Sequence, residues 1–328
     1  MLFSKTQKPK SELRFDVVNK DWVVVAEGRG RRPEDFKKKT TEQVADNMPC
    51  AFCDYFIKPE FLDKNFAVIP NKFPAFSPQK SREIKSDNFL FQKMPSIGFH
   101  EVVIFNDHSK QLTDFSQIEW EELLSIYQQR YITLAKEKAV NYISIFHNHG
   151  KMAGASLIHP HSQIIAIPFF DKNLAVSLNS AKEFFKEKSQ CLSCATNRAE
   201  KQRKIRIIWE NSNFLAVCPF ASKVNFEVVI SPKNHLPYFE KITKEEKGDL
   251  AQIFQIILKK ISSGLNAPDY NFYLHTSPCD DKEYPFFHWH FTIMPRISVW
   301  AGFELGCGIE IITMPPEKSA SYLRSIKI

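Results

Sequence analysis

The spacing of apolar residues along the chain is helical in two segments and alternates in the runs around them. The helical segments are WEELLSIYQQRYITLAKEK at 120–138 and KGDLAQIFQIILKKISS at 247–263, and both predict amphipathic helices. Each follows a capping box, in which Ser116 with Glu119, or Thr243 with Glu246, satisfies the first free backbone N–H groups. The β-rich runs between them predict antiparallel sheets, each crossed by one helix, so the predicted fold class is α+β.

The same signals recur in the same order in the two halves of the chain. Each half begins with C-x-x-C and continues through two strand-like runs, the second of which ends at His108 or at His235. A helix, another strand-like run and a final H-x-H follow in both halves. This shared order predicts an internal repeat, with a first half at 1–172 and a second at 173–328.

Composition narrows the class of protein without choosing a function. The chain has 328 residues, of which 43% are apolar and 13% aromatic, and it should fold into a globular protein with a substantial core. No signal-peptide-like region opens the sequence and no segment resembles a membrane span, so we expect a cytoplasmic protein without membrane contact. The net charge of +7 attracts anions, but it does not distinguish nucleic acid from a small phosphorylated substrate.

Four of the seven cysteines form two C-x-x-C pairs, a spacing that favours metal binding over disulfides in a cytosolic protein. Zinc takes four ligands in a tetrahedron, and thiolates with imidazoles suit it. The repeat adds two histidines at equivalent positions to each pair. The predicted ligand sets are Cys50, Cys53, His108 and His159 in the first half, and Cys191, Cys194, His235 and His288 in the second. A closed four-ligand site leaves no position for water, so we expect two structural zinc ions.

The strand-like HPHSQ stretch carries His159, His161 and Gln163 at alternate positions, and alternate residues of a strand share one face. With His159 assigned to zinc, His161 is left for chemistry. The polar residues near His161 have no evident matches around its counterpart, His290. We therefore expect the active site in the first half.

These residues resemble the galactose-1-phosphate uridylyltransferase family of the histidine-triad superfamily. The resemblance rests on HPHSQ after a GAS loop, on the upstream CAFC and NDHSK, on the opening LRFDVVNKDWVVVAEGRGRRPEDF and on the closing GFELGCG, so it covers nearly the whole chain. It implies a fold of two histidine-triad-like halves and a homodimer in which the partner chain helps to complete the site. It also implies the transfer of a nucleoside monophosphate between sugar 1-phosphates by double displacement, in galactose metabolism.

The resemblance assigns roles to individual residues. His161 is implied to be the nucleophile that carries the nucleotide, and the backbone carbonyl of His159 or of Pro160 would orient its ring. Gln163 would hydrogen-bond a phosphoryl oxygen, and such donors stabilise charge in the transition state. The residues implied to contact nucleotide or phosphate are Arg29, Arg32, Asn71, Asn148 and Ser156.

Two features point to different nucleotides within this family. The pair Cys191 and Cys194 is similar to members with two zinc sites, which include ADP-glucose phosphorylase, whereas Pro160 in HPHSQ resembles the uridylyl-transferring members. We expect UDP-glucose and hexose 1-phosphate, in particular galactose 1-phosphate, as substrates. The alternative is an ADP-glucose phosphorylase, which transfers an adenylyl group to inorganic phosphate.

Two functions of other kinds are less well supported by the sequence. A zinc-dependent nucleic-acid-binding module would have its ligands within one short unit, whereas here they span more than a hundred residues, and no basic stretch is interleaved with aromatics. We therefore expect no nucleic-acid partner. A hydrolase of dinucleotides or phosphoramidates would resemble the triad H-x-H-x-H, but the third position here is Gln163. An amide at that position fits transfer to phosphate better than hydrolysis.

Overall fold

A computed structural model of the chain describes residues 11–27, 50–58, 64–79, 85–88 and 90–328, with the side chains of 85–88 left out. Its mixture of antiparallel strands and packed helices confirms the predicted α+β class. Within these ranges, no helix combines the length and the apolar character that crossing a membrane requires.

Nine of the strands form one antiparallel sheet that includes strands from both halves of the chain. The strands of the described residues are β1 Glu12–Asp16, β2 Asp21–Val25, β3 Phe66–Pro70, β4 Lys85–Asn88, β5 Phe91–Lys93, β6 Phe99–Phe105, β7 Tyr142–His149, β8 His161–Ile167, β9 Ile207–Glu210, β10 Phe214–Val217, β11 Val228–Pro232, β12 Tyr270–His275, β13 His290–Pro295 and β14 Ile311–Ile312. The large sheet has the order β3-β6-β8-β7-β12-β13-β11-β10-β9, and its neighbouring strands are antiparallel.

The halves meet in the middle of this sheet, where β7 pairs with β12. On one side the order outward is β7, β8, β6 and β3, and on the other it is β12, β13, β11 and β10. Strands that carry corresponding sequence signals therefore lie at corresponding distances from the centre. The internal repeat and the division between residues 172 and 173 stay predictions.

The two longest helices pack together and supply the core. The helices are α1 Gln117–Leu134, α2 Lys172–Lys188, α3 Leu192–Arg203, α4 Lys244–Leu265, α5 Gly302–Cys307 and α6 Pro316–Ser325. Both predicted capping boxes are present, with Ser116 starting α1 and Thr243 starting α4. Trp120 of α1 stacks on Phe254 of α4 with ring centroids 4.7 Å apart, and both rings are fully buried. The helices thus cover one face of the sheet and leave the other face to the site.

Two smaller sheets flank this assembly. Strands β1, β2 and β14 form the first, in which β14 runs parallel to β2, so residues from the two ends of the chain pair with each other. The second is the hairpin of β4 and β5.

Candidate active site and metal-binding groups

Strand β8 separates core-facing from site-facing side chains. Ser162, Ile164 and Ala166 are buried on one face, whereas Gln163 and Ile165 alternate with them and are only half-buried. The strand begins at His161, so His161 and Gln163 share a face as predicted, whereas His159 precedes the strand. His159 lies in a bend before the strand, and its Nδ1 is 3.5 Å from Cys50 Sγ.

The His161 ring is fixed by the backbone just before it. Its Nδ1 lies 2.9 Å from the carbonyl oxygen of His159, which selects that carbonyl over that of Pro160. A carbonyl only accepts, so Nδ1 carries the proton and the lone pair of the neutral ring is on Nε2. Burial lowers the pKa of His161, and the carbonyl contact opposes this only in part. The neutral, nucleophilic form is therefore favoured at about pH 7.

The first predicted ligand set forms a compact group whose four donor atoms lie within 4.8 Å of one another. Nδ1 of His159 lies 3.5 Å from each sulfur, Cys53 Sγ is 3.4 Å from His108 Nδ1, and the two Nδ1 atoms are 3.2 Å apart. A tetrahedron with arms of about 2.0 to 2.3 Å has edges of about 3.3 to 3.8 Å, so these separations fit a zinc-sized ion. His159 Nε2 donates to the Phe105 carbonyl at 2.6 Å, which turns its Nδ1 toward the sulfurs.

The second set is arranged in the same way. Cys194 Sγ lies 3.5 Å from His235 Nδ1 and 3.4 Å from His288 Nδ1, and Cys191 Sγ lies 3.9 Å from His288 Nδ1. The Nε2 atoms of His235 and His288 each donate to a proline carbonyl, at 2.7 and 3.0 Å. The described residues thus contain two Cys/His groups that could hold a metal ion, one in each half.

The first cysteine pair also brings an aromatic ring to His161. Phe52 lies between Cys50 and Cys53, and its ring meets His161 edge-on with centroids 5.1 Å apart. It also contacts His159, at 5.7 Å, and packs against the apolar cluster of Ile69, Val102 and Ile104. The loop from Cys50 to Cys53 therefore forms one wall of the space around His161.

Gln163 contacts a histidine that the sequence analysis did not single out. His100 of β6 is paired with Ile165, which makes it a diagonal neighbour of Gln163 on the same face, and its Nε2 lies 2.8 Å from Gln163 Oε1. Sixty-three residues separate the two in sequence, so only the pairing of β6 with β8 joins them. The alternation of FHEVVIF could have indicated that His100 shares a face with Val102 and Ile104.

Asn71 and Asn148 are oriented with their amide oxygens engaged. The Phe73 backbone N–H donates to Asn71 Oδ1 at 2.8 Å. Asn148 Oδ1 accepts from Asn271 Nδ2 at 2.8 Å, and that nitrogen is identified by its second bond, to the Ala153 carbonyl. Extending the register of β7 and β8 by one pair sets Asn148 opposite His161.

Three residues remain of those predicted to contact nucleotide or phosphate. Ser156 lies in an exposed bend between β7 and β8. Arg29 and Arg32 lie outside the described residues.

His290 repeats the backbone arrangement of His161 in the second half. Its Nδ1 lies 3.4 Å from the carbonyl of His288, a longer contact than that of His161. A cavity of about 290 Å³ adjoins it and is lined on other sides by Ser177 and Lys223. The amides that surround His161 have no counterpart among the lining residues of β12 and β13, which contribute Tyr273, His275 and Thr292.

A strand-borne histidine whose Nε2 carries the lone pair, close to amide N–H donors, is suited to nucleophilic attack on phosphorus. Two family models match the sequence. One describes the N-terminal domain of galactose-1-phosphate uridyl transferase and matches residues 1–170, and the other describes a domain of unknown function (DUF4921) and matches residues 107–324.

Individual proteins are similar along nearly the whole chain. ADP-glucose phosphorylase of Arabidopsis thaliana is 33% identical, over 97% of this chain and 93% of that protein. Galactose-1-phosphate uridylyltransferase of Thermotoga maritima is 29% identical, over 97% of this chain and 99% of that protein. The structure of an ADP-glucose phosphorylase from Arabidopsis thaliana with bound ADP-glucose has a TM-score of 0.79 and 32% identity, and covers 97% of this chain and all of that one. The chain belongs to the galactose-1-phosphate uridyl transferase family, which confirms the resemblance, and it is a nucleotidyltransferase.

Proposed function

We propose that the enzyme transfers a nucleoside monophosphate from a nucleotide sugar by way of a nucleotidyl-histidine at His161. The observation that carries this proposal is the bond from His161 Nδ1 to the His159 carbonyl, which leaves the lone pair on Nε2. Nε2 of a neutral imidazole is a good nucleophile toward phosphorus, and the resulting phosphorus–nitrogen bond can be attacked again.

The reaction has two balanced displacements. In the first, Nε2 of His161 bonds to the α-phosphorus, and the bond from that phosphorus to the bridging oxygen breaks, so sugar 1-phosphate leaves. In the second, an oxygen of the acceptor phosphate bonds to the same phosphorus, and the phosphorus–nitrogen bond breaks. The acceptor leaves with the nucleotide, and His161 returns to its neutral form.

Three amides supply hydrogen-bond donors for the phosphoryl oxygens. The oxygens of Asn71, Asn148 and Gln163 face protein groups, so their N–H groups are left for an acceptor from outside. In the transition state the negative charge is spread over the non-bridging oxygens of the phosphoryl group, and fixed N–H donors stabilise that state. Ser156, Arg29 and Arg32 complete the proposed set of nucleotide and phosphate contacts.

For the substrates we propose ADP-glucose as donor and inorganic phosphate as acceptor, so that the products are glucose 1-phosphate and ADP. The support is the 33% identity with ADP-glucose phosphorylase over 97% of the chain, together with a second metal-binding group built on Cys191 and Cys194. This reverses the order of preference reached from sequence. The second candidate is UDP-glucose with galactose 1-phosphate, which Pro160 and the 29% identity with a uridylyltransferase favour.

Each Cys/His group is proposed to hold one structural zinc ion. Zinc would supply a rigid crosslink between the cysteine loop and the strand ends, and four protein ligands leave it no open position for substrate. The homodimer and the cytoplasmic location also stay predictions, and light scattering on the purified protein would measure the first.

Labelling of the protein tests the proposal directly. The enzyme is incubated separately with ADP-glucose and UDP-glucose, each radiolabelled at the α-phosphorus, and is quenched at alkaline pH, where phosphoramidates survive. We expect label on the protein from ADP-glucose. Label from UDP-glucose alone would select the second candidate, and label from neither would refute nucleotidyl transfer.

The matched variants are His161→Asn and His290→Asn. His161→Asn should lose all labelling and retain its metal, because the metal ligands are untouched. His290→Asn removes a histidine with the same backbone contact and should label like the wild type. Labelling that survives His161→Asn would mean that another group is the nucleophile.

A further inference from the structure

His100 touches two of the three amides that line the site. Its Nε2 lies 2.8 Å from Gln163 Oε1 and 3.1 Å from Asn71 Nδ2, and its Nδ1 lies 3.2 Å from the backbone nitrogen of Ala75. The side chain is half-buried at the edge of the site-facing surface of β6. One ring therefore lies between a fixed backbone group and the amide next to the nucleophile.

The backbone contact determines which ring nitrogen of the neutral imidazole carries the proton. The Ala75 N–H can only donate, so Nδ1 of His100 accepts, and the proton is on Nε2. Nε2–H then donates to the atom of Gln163 that lies 2.8 Å away, and an acceptor at that position must be the amide oxygen. The orientation of the Gln163 amide thus follows from one backbone N–H, through the ring.

The Asn71 amide is fixed independently, and it offers His100 Nε2–H no acceptor. The Phe73 N–H donates to Asn71 Oδ1, so the Asn71 nitrogen is the atom facing His100 Nε2. Two N–H groups do not hydrogen-bond each other. His100 Nε2–H therefore has Gln163 Oε1 as its acceptor within the described residues, and the amide hydrogens of Asn71 are left for a ligand.

We propose that His100 is a positioning residue, which holds the carbonyl oxygen of Gln163 and thereby turns the Gln163 NH₂ group toward the phosphoryl group on His161. This inference rests on the proposed function. An amide can rotate by half a turn with little change in shape, and the rotated form would present an oxygen to an anionic phosphoryl group. His100 excludes the rotated form, because its Nε2–H would then meet an N–H.

His100 brings its imidazole to the site from a neighbouring strand. His161 and Gln163 lie on β8, whereas His100 reaches the same face from β6, where it is paired with Ile165. It acts through Gln163 and stays out of contact with the reacting phosphorus. Its removal should therefore affect the rate of phosphoryl transfer through Gln163 alone.

Two substitutions separate the two ring nitrogens. His100→Asn retains an acceptor near the position of Nδ1 and loses the Nε2–H donor, whereas His100→Gln retains an amide N–H near the position of Nε2. The quantity to measure is the single-turnover rate at which ADP-glucose, labelled at the α-phosphorus, labels the protein. UDP-glucose replaces it if UDP-glucose is the nucleotide sugar that labels the wild type. Gln163→Ala should slow labelling about a hundredfold, as loss of a transition-state donor does.

His100→Asn should slow labelling about tenfold by misplacing that donor, and His100→Gln should restore most of the rate. In the Gln163→Ala background, His100→Asn should change the rate less than about twofold, because the group it positions is gone. A tenfold loss that persists in that background would overturn the proposal. So would a His100→Gln variant as slow as His100→Asn with the same melting temperature.

A spectroscopic measurement distinguishes failure of this inference from failure of the proposed function. In the full-length protein with isotopically labelled histidine, the His100 signals are assigned by their loss in His100→Asn, and its two ring nitrogens report the tautomer. We expect the proton on Nε2. A proton on Nδ1 would refute the positioning role, even if the enzyme is active. Absence of labelling in the wild type would refute the proposed function, and the tautomer of His100 could still be measured.

Discussion

Gly150 and Gly154 bound the short 3-10 turn Lys151–Ala153 that leads from β7 toward His161, and they offer a matched pair of substitutions. Both have positive φ, 81° at Gly150 and 83° at Gly154. A Cβ at Gly150 would lie 2.3 Å from Cγ of Asp269 and 2.4 Å from its Oδ1, whereas a Cβ at Gly154 would meet nothing within 4 Å. Only the first substitution therefore adds a collision to the backbone strain.

The difference between the two variants can be estimated. Gly154 has ψ of 15°, so it is left-handed helical, and alanine there costs about 1 kcal/mol. Gly150 has ψ of 164°, a region that is essentially restricted to glycine and costs up to about 3 kcal/mol. The added Cβ also displaces buried Asp269, which accepts from the Met152 N–H at 2.6 Å, and losing a charged hydrogen bond costs about 1.5 to 3 kcal/mol.

We expect Gly150→Ala to destabilise the protein by about 4 kcal/mol and Gly154→Ala by about 1 kcal/mol. For a chain of this length, 1 kcal/mol lowers the melting temperature by about 1.5 °C. Thermal unfolding followed by circular dichroism should thus show losses of about 6 and about 1.5 °C. Equal losses in the two variants would mean that neither the backbone conformation of Gly150 nor the contact with Asp269 penalises a Cβ there, and would refute the steric argument.

Two further predictions concern buried polar groups, one beside the cavity next to His290 and one on the core face of β8. Burial raises the pKa of Glu227 to about 7, so the folded protein holds a proton that the unfolded chain releases near its ordinary value of 4.5. The stability that this group contributes is present below about pH 4.5 and is lost as the pH rises through about 7. The melting temperature of Glu227→Gln should therefore rise relative to that of the wild type between pH 5 and 8. A difference that stays constant with pH would refute this. Tyr127 donates to Ser162 Oγ at 2.5 Å, and Ser162 Oγ lies 3.2 Å from His147 Nδ1. Denaturant titration should therefore show that Tyr127→Phe lowers the free energy of unfolding by about 1 kcal/mol and Ser162→Ala by about 3 kcal/mol. The serine substitution costs more because it leaves two buried groups without their partner. The reverse order would contradict the assigned network.

The features that sequence predicted well are local or repeated. The two capping boxes begin α1 and α4 because each needs only residues three positions apart, and such contacts do not depend on the rest of the fold. The two Cys/His sets do come together, since the repeat indicated which distant histidine belongs to which cysteine pair.

The features that sequence missed depend on how strands pair. Nothing in HPHSQ indicates that the strand begins at His161 and that His159 lies in a bend, because the strand start depends on pairing with distant strands. The contact of His100 with Gln163 requires the register of β6 against β8, and a shift by one residue would turn His100 to the other face. The choice of the His159 carbonyl over that of Pro160 likewise depends on the orientation of the His161 ring, which the sequence does not specify.

The ring of Phe52 adds a connection between metal and chemistry. It occupies volume beside the His161 imidazole that water would otherwise fill, and it is held there by the two cysteines on either side of it. Water that reached the nucleotidyl-histidine would hydrolyse it, whereas a sugar phosphate or inorganic phosphate completes the transfer. Fidelity to the acceptor would then depend on the loop from Cys50 to Cys53. If the first Cys/His group holds the proposed zinc ion, removing that ion should divert the nucleotide sugar to hydrolysis before it unfolds the protein.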